Sequence, residues 1–218
     1  MSRKARACLA LVLAIAVSAC ASTDEVKMKT TTLSVDPGTG VTLRGTPFRL
    51  LGEPLKMGKP LPSVELTDAM TMKPVDLSKE RGNILLLSVV TSVDTPVCEE
   101  QTHYLGEQGS KLPASVRRIV ISRDTPFAQK RFAKEARLEN LQYLSDYKTG
   151  AFGQATGLLI EQVMLLARAV IIVDRQGIVQ YIQVTPEIAS LPDMDAAFKK
   201  ATELASSPYP PQHIHGCP

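Results

Sequence analysis

The sequence predicts a single α/β domain in which a β-α-β unit is followed by a β-β-α unit. Short apolar runs alternate with amphipathic helical patterns along the middle of the chain, and this alternation is typical of a sheet covered by helices. The last two apolar runs are separated only by Asp174-Arg175-Gln176-Gly177, a composition that predicts a tight connection between antiparallel strands. The 218 residues suffice for one domain with flanking tails.

The predicted elements follow one another in a simple order. Strands are predicted at 64–67, 84–90, 118–122, 141–144, 169–173 and 178–184, and helices at 97–108, 126–136 and 194–204. Pro126 favours a helix start because its fixed backbone angle suits the first turn. The order of elements is that of the thioredoxin fold. No glycine-rich phosphate loop, zinc-ligand spacing or Ser-His-Asp arrangement competes with it.

Cys98 has the clearest chemical potential of any residue in the chain. It follows the buried strand predicted at 84–90 and falls in the first turn of the next helix. Unpaired amide N–H groups and the positive end of the helix dipole favour a thiolate at such a position. Thr95, three residues earlier, can turn its hydroxyl toward the sulfur or toward the group that the sulfur attacks. From spacing alone, a small buried cysteine without chemical function is an equally good interpretation.

Four segments of the chain resemble the thiol peroxidase subfamily of the peroxiredoxins, and the resemblance covers residues 41–205. The four are the opening hairpin Val41-Thr42-Leu43-Arg44-Gly45-Thr46-Pro47-Phe48, the core Ser92-Val93-Asp94-Thr95-Pro96-Val97-Cys98, the second signature beginning Ser122-Arg123-Asp124-Thr125-Pro126, and Ala167-Arg168-Ala169-Val170. The resemblance implies a peroxiredoxin-like thioredoxin fold with an N-terminal β-hairpin. It also implies thiol-dependent reduction of hydrogen peroxide or organic hydroperoxides by a homodimer.

The resemblance assigns three residues to the reaction. Cys98 would attack one peroxide oxygen, become a sulfenic acid and release water or an alcohol. Thr95 would hydrogen-bond the sulfur and the incoming oxygen, and Arg168 would hold the thiolate and donate to the peroxide. An ion pair with a carboxylate is the other interpretation of Arg168, because its neighbours in the sequence are apolar. No cofactor and no metal are expected.

Two positions depart from the family pattern. Thr91 stands where peroxiredoxins have a proline seven residues before the cysteine. In the family that proline shields the thiolate from water, and here the Thr91 hydroxyl is a candidate to solvate the sulfur instead. Ala133 stands where two-cysteine thiol peroxidases carry the resolving cysteine, so the usual internal disulfide cannot form. The sulfenic acid is therefore expected to be reduced by an external thiol, either a thioredoxin-like protein or a small thiol, or else by Cys217.

The N-terminal residues predict an exported lipoprotein. Residues 1–19 combine a basic start with an apolar stretch that is short for a membrane span. They end in Val17-Ser18-Ala19-Cys20, which resembles a bacterial lipobox and makes Cys20 the lipidated residue. Residues 20–40 are interpreted as a flexible tether. The predicted location is the periplasmic side of a bacterial membrane, with the outer membrane expected, or the soluble periplasm if the signal is an ordinary secretory one.

Charge excludes one class of partner. Removal of the leader with Arg3, Lys4 and Arg6 reduces the 25 basic residues to 22, equal to the 22 acidic ones. A mature chain without excess positive charge is not expected to bind nucleic acid.

The C-terminal residues 206–218 are rich in proline and end in His213-Ile214-His215-Gly216-Cys217-Pro218. A His-x-His-x-Cys cluster can hold copper or zinc, although a tail without specific function is the simpler interpretation. Two alternatives to the peroxidase therefore remain: a catalytically weak or inactive redox sensor, and a metal-binding protein that combines Cys98 with the tail.

Overall fold

The structure, a computed structural model, describes residues 29–207 as ten strands, four α-helices and two short 3₁₀ turns. The strands are β1 Gly40–Leu43, β2 Thr46–Leu51, β3 Leu66–Asp68, β4 Pro74–Val75, β5 Ile84–Val89, β6 Val116–Ser122, β7 Gln142–Ser145, β8 Leu159–Ile160, β9 Ala169–Val173 and β10 Val179–Val184. The helices are α1 Pro96–Gln108, α2 Pro126–Glu135, α3 Ala151–Thr156 and α4 Met194–Ser206.

The central sheet has seven strands in the order β10-β9-β5-β6-β7-β3-β4. Strands β5, β6 and β7 are parallel, whereas β9 pairs antiparallel with β5 and β10 antiparallel with β9. The sheet therefore joins a parallel β-α-β half to an antiparallel hairpin half, as the sequence predicts. Strands β1, β2 and β8 form a separate three-stranded sheet, of which β1 and β2 are the predicted N-terminal hairpin.

All six residues of β5 are buried, and their side chains alternate between two apolar cores. Leu85, Leu87 and Val89 face the core that is closed by the small sheet and α3. Ile84 and Leu86 face the core that is closed by α1, α2 and α4, and Cys98 lies in this second core. A strand with one face in water alternates apolar and polar residues, whereas a strand covered on both faces is apolar throughout. The continuous apolar run of β5 therefore fits its burial on both faces.

The predicted helices and main strands are confirmed to within a few residues, but three short elements were not predicted. These are β4 and β8, of two residues each, and α3, of six. Helix α3 lies between Gly150 and Gly157, both in the left-handed conformation, and its first amides are capped by a carboxylate from outside the segment. Phe152 N and Gly153 N donate to Asp146, each at 3.0 Å. Such short elements depend on tertiary partners rather than on local sequence.

The prediction of a flexible tether up to residue 40 is wrong for its second half. Thr31 N donates to Leu191 O and Leu191 N donates to Lys29 O, both at 2.9 Å, and Val35 N donates to Val184 O at 3.0 Å. Residues 29–39 are thus part of the domain, because they satisfy backbone groups along β10 and the loop after it.

Residues 1–28 and 208–218 lie outside the described part of the chain, and with them the predicted leader, Cys20 and the His213–Cys217 cluster. Between residues 29 and 207, no helix has the length and apolar character that crossing a membrane requires.

Candidate active site

Cys98 lies in the first turn of α1, as the sequence predicts. Thr95 is the N-cap residue, Pro96 opens the helix, and Cys98 follows two residues later with no exposed surface. Its Sγ accepts hydrogen bonds from Ser92 N at 3.5 Å and from Arg168 Nη2 at 3.2 Å. The sulfur therefore faces two donors at the end of β5, one from the loop before α1 and one from the residue that precedes β9, the strand paired with β5.

Arg168 immediately precedes β9 and is 1% exposed. Three of its nitrogens have partners: Nε donates to Ile188 O at 2.8 Å, Nη1 to Gln101 Oε1 at 2.6 Å and Nη2 to Cys98 Sγ. None of the ion pairs between residues 29 and 207 involves Arg168. The alternative interpretation of Arg168, an ion pair with a carboxylate, is therefore not found among residues 29–207.

Gln101 is a member of the site that the sequence did not reveal. It lies one turn after Cys98 on the same face of α1, and it is fully buried. Its Nε2 donates to Ser88 Oγ at 2.8 Å, while its Oε1 accepts from Arg168. Ser88 interrupts the apolar run of β5 and is itself fully buried. A polar residue inside a buried strand was the available signal, since it requires a partner nearby.

Thr95 does not turn its hydroxyl toward the sulfur in this structure, so that expectation is corrected. Thr95 Oγ1 donates to Ser92 O at 3.0 Å. A hydroxyl has a single proton to donate, and the carbonyl of the same loop takes it in the resting state. The hydroxyl oxygen retains lone pairs and can still accept a hydrogen bond from the O–H of a peroxide.

Thr91 does not solvate the sulfur either. Its Oγ1 is buried and has no hydrogen-bond partner among the described residues. Thr91 lies directly before Ser92, whose amide contacts the sulfur, so the hydroxyl is close to the site without a defined role in the resting structure.

Asp124 connects the loop that precedes α1 to the end of β6. Its carboxylate accepts from Ser92 Oγ at 2.8 Å, Val93 N at 2.8 Å and Ser122 Oγ at 2.7 Å. Asp124 thereby attaches the loop whose Ser92 amide contacts Cys98 to the end of β6. Sequence reasoning placed Asp124 in a family signature but did not identify this contact.

Tyr104 joins α1 to α4. Its hydroxyl donates to Asp195, and its ring packs edge-on against Phe198 with 5.5 Å between the ring centroids. Burial and the hydrogen bond to Asp195 raise the pKa of Tyr104 to about 12. The phenol is therefore neutral near physiological pH and contributes to holding α1 in place rather than to proton transfer.

An open cleft of about 370 Å³ lies between α1 and α2 beside the active-site loop. It is lined by Val93, Asp94, Thr95, Pro96, Glu99, Phe132, Glu135 and Ala136. Cys98 is not among the lining residues and has no exposed surface, so the cleft flanks the sulfur without opening onto it.

No metal site is evident among the described residues, because no group of three or more His, Cys, Asp or Glu side chains converges there. The candidate metal ligands of the tail, His213, His215 and Cys217, lie outside the described residues. Between residues 29 and 207, Cys98 is the only cysteine.

The chain matches the Redoxin family model over residues 56–198. It is 38% identical over 161 residues to a thiol peroxidase of Halalkalibacterium halodurans, covering 74% of this chain and 96% of that protein. A solved structure of a peroxiredoxin-like protein from Aquifex aeolicus superposes with a TM-score of 0.72 at 32% identity, over 78% of this chain and 99% of that one. A thiol peroxidase from Chromobacterium violaceum has the same fold, with a TM-score of 0.65 at 23% identity over 76% and 96% of the two chains.

The chain therefore belongs to the Redoxin family and, within it, to the thiol peroxidase subfamily of the peroxiredoxins. It is a thiol-dependent peroxidase, and its domain has the peroxiredoxin variant of the thioredoxin fold.

Proposed function

We propose that Cys98 is the residue that attacks the peroxide and that it works without a resolving cysteine in the domain. The contact of 3.2 Å between Arg168 Nη2 and Cys98 Sγ carries this proposal. Both residues are buried, and none of the ion pairs between residues 29 and 207 involves Arg168. A buried cation is expensive unless an anion compensates it, and the thiolate of Cys98 is the anion in contact.

The reaction requires only the thiolate and polarisation of the O–O bond. The Cys98 thiolate attacks the terminal oxygen of R–O–O–H, so that an S–O bond forms and the O–O bond breaks. The products are Cys98–S–OH and RO⁻, which takes a proton to become an alcohol or, from hydrogen peroxide, water. Arg168 and the Ser92 amide hold the thiolate before the attack. Arg168 stabilises the charge that passes to the departing oxygen.

The second half of the cycle needs two equivalents of an external thiol. One R′SH condenses with Cys98–S–OH to give a mixed disulfide and water, and a second R′S⁻ releases R′S–SR′ and regenerates the thiolate. Ala133 occupies the family position of the resolving cysteine and is fully buried in α2. The reductant is therefore a thioredoxin-like protein or a small thiol rather than a second cysteine of residues 29–207.

The remaining features of the proposal concern location and assembly. The lipobox-like sequence at Cys20 favours a lipid anchor on the periplasmic side of a bacterial membrane. The family resemblance favours a homodimer. Three exposed apolar side chains support an interface: Phe127, Val163 and Met164 are 71%, 48% and 45% exposed. Arg123 Nη1 donates to Met164 O at 2.9 Å, and this bond connects the segment before α2 to the loop after β8.

Mass spectrometry of the protein after one equivalent of hydroperoxide, with and without a dithiol, tests the reaction. We expect one added oxygen on Cys98, its removal by the dithiol, and continued consumption of peroxide when both reagents are in excess. The Cys98→Ser variant should consume no peroxide. Addition of one oxygen without turnover would instead favour a redox sensor, and consumption by Cys98→Ser at the parent rate would overturn the assignment of Cys98.

The lipid anchor has a separate test. Cys20→Ala should move the exported protein from the membrane fraction to the soluble fraction. Membrane association that survives this substitution would show that Cys20 is not lipidated.

A further inference from the structure

One of the three hydrogen-bond partners of Arg168 belongs to a loop rather than to a helix or strand. The Arg168 Nε donates to Ile188 O, and Ile188 lies in the irregular segment between β10 and α4. The orientation of Arg168 toward Cys98 therefore depends in part on the position of this loop. Loops lack the regular hydrogen bonds that hold a strand in a sheet, so other contacts must fix the Ile188 carbonyl.

The loop is held by the N-terminal hairpin. Thr42 N donates to Pro186 O at 2.7 Å, and Ile188 N donates to Thr42 O at 2.8 Å. Ile188 therefore binds β1 through its N–H and Arg168 Nε through its carbonyl. The hairpin and the active-site arginine share one residue of the loop.

The side chain of Glu187 fastens this contact. Its carboxylate accepts from Thr42 Oγ1 at 2.9 Å, Arg44 N at 3.0 Å, Ala189 N at 3.1 Å and Gly45 N at 3.4 Å. Arg44 and Gly45 both have positive φ, 50° and 81°, which is the backbone of a two-residue hairpin turn. That turn presents two consecutive amides to one carboxylate.

Glu187 is ionised in this environment. Burial works to raise its pKa, but the hydrogen bonds from Arg44, Ala189, Thr42 and Gly45 outweigh burial, and the pKa of Glu187 lies below its usual range. A charged acceptor makes each of these hydrogen bonds stronger than a neutral one would.

We infer that Glu187 is a positioning residue for the peroxidase reaction, acting through Ile188 on Arg168. It fixes the hairpin to the loop so that the Ile188 carbonyl directs the guanidinium toward Cys98 Sγ. The N-terminal hairpin is then part of the active-site scaffold, and it helps to anchor Arg168, which lies just before β9 and outside its strand pairing. This inference rests on the proposed role of Arg168.

The test is a double-mutant cycle between Glu187→Ala and Arg168→Met on the full chain. Single-turnover oxidation of Cys98 by hydrogen peroxide gives the rate, and alkylation of Cys98 across a pH series gives an independent profile of thiolate reactivity. Glu187→Ala should slow oxidation about tenfold, the effect expected when a hydrogen bond to a charged group is weakened. It should also move the alkylation profile in the same direction as Arg168→Met.

In the double variant, Glu187→Ala should add nothing to the effect of Arg168→Met, because coupled residues are not additive. Glu187→Gln and Thr42→Val, which remove fewer contacts, should give smaller effects of the same sign and serve if Glu187→Ala folds poorly. Glu161→Gln is the matched control: Glu161 pairs with Arg49 of the same hairpin at 3.7 Å and is exposed, so the rate should not change.

Three outcomes would overturn the inference, and they can be told apart. If Arg168→Met slows oxidation but Glu187→Ala, Glu187→Gln and Thr42→Val do not, or if Glu187→Ala slows it equally with and without Arg168, then Glu187 does not act through Arg168. If Arg168→Met itself leaves the rate unchanged, the proposed role of Arg168 fails and the inference falls with it.

Discussion

Ser92 Oγ donates to Asp124 Oδ1 at 2.8 Å, and this bond joins the loop after β5 to the loop after β6. The neighbouring amide of Val93 donates to the same carboxylate at 2.8 Å. Because the carboxyl ends of parallel strands meet at one edge of the sheet, two segments 32 residues apart in the chain fix the loop whose backbone contacts the sulfur.

Asp124→Asn should loosen that loop. An amide retains one acceptor oxygen, but its NH₂ group cannot accept from the Val93 amide or the Ser122 hydroxyl. We expect oxidation of Cys98 to slow by about tenfold, since hydrogen bonds to a charged acceptor are being replaced, and the thermal midpoint to fall. Asp94→Asn is the matched control: Asp94 lies in the same loop but pairs with exposed Arg131 at 2.9 Å. If the two variants affect the rate and the thermal midpoint equally, Asp124 has no special role in fixing the loop.

Ala133→Cys should restore an internal resolving step. Ala133 and Cys98 belong to the same buried core, between α1 and α2, and we expect the first turn of α1 to open toward α2 so that the two sulfurs meet. After one equivalent of peroxide, a non-reducing peptide map should contain a disulfide between Cys98 and the introduced cysteine, and overoxidation should slow. Ala128→Cys on the same helix is the control and should form no such bond. Absence of the disulfide in Ala133→Cys would mean that α1 does not open toward α2.

Thr91→Val should stabilise the protein. The buried Thr91 hydroxyl has no partner among the described residues, and an unsatisfied buried hydroxyl costs about 1–3 kcal/mol. We expect urea unfolding to show a gain on the order of 1 kcal/mol, with little change in the rate of Cys98 oxidation. In Thr156→Val, by contrast, stability should fall, because that buried hydroxyl donates to Phe152 O at 2.6 Å. Slower oxidation in Thr91→Val would show that the reacting oxygen uses this hydroxyl.

The C-terminal residues offer the last prediction. Cys8 lies in the predicted leader and Cys20 is the predicted lipidation site, so Cys217 is the one other cysteine that could resolve the sulfenic acid of Cys98. Ordering a proline-rich tail to bring Cys217 to Cys98 would cost conformational entropy. A chain that ends at Gln212 should therefore be oxidised and reduced by an external dithiol at the rates of the full-length protein. A Cys98–Cys217 disulfide in the full-length protein, together with faster overoxidation of the shortened chain, would make the tail the resolving arm.

The sequence predicted Cys98 in the first turn of a helix because the signals are local. An apolar run that long predicts a strand, and residues 99–108 contain few helix breakers. The tether was misjudged for a related reason: residues 29–39 are polar and carry no periodicity. Their order comes from backbone hydrogen bonds to β10 and to Leu191, and these bonds leave no mark on side-chain composition.

The sequence by itself determined the order of the elements, the position of the reactive thiol and, by resemblance, the class of reaction. Only the tertiary structure decided which groups surround that thiol. Gln101 and Glu187 carry no recognisable motif, and the family signature that contains Asp124 does not predict its contacts. Each of the three acts across a separation in sequence, such as the 67 residues between Gln101 and Arg168. Hydrogen bonds depend on distance and angle after folding, so a polar side chain at any of these positions becomes part of the site only when the sheet and the hairpin bring its partner to it.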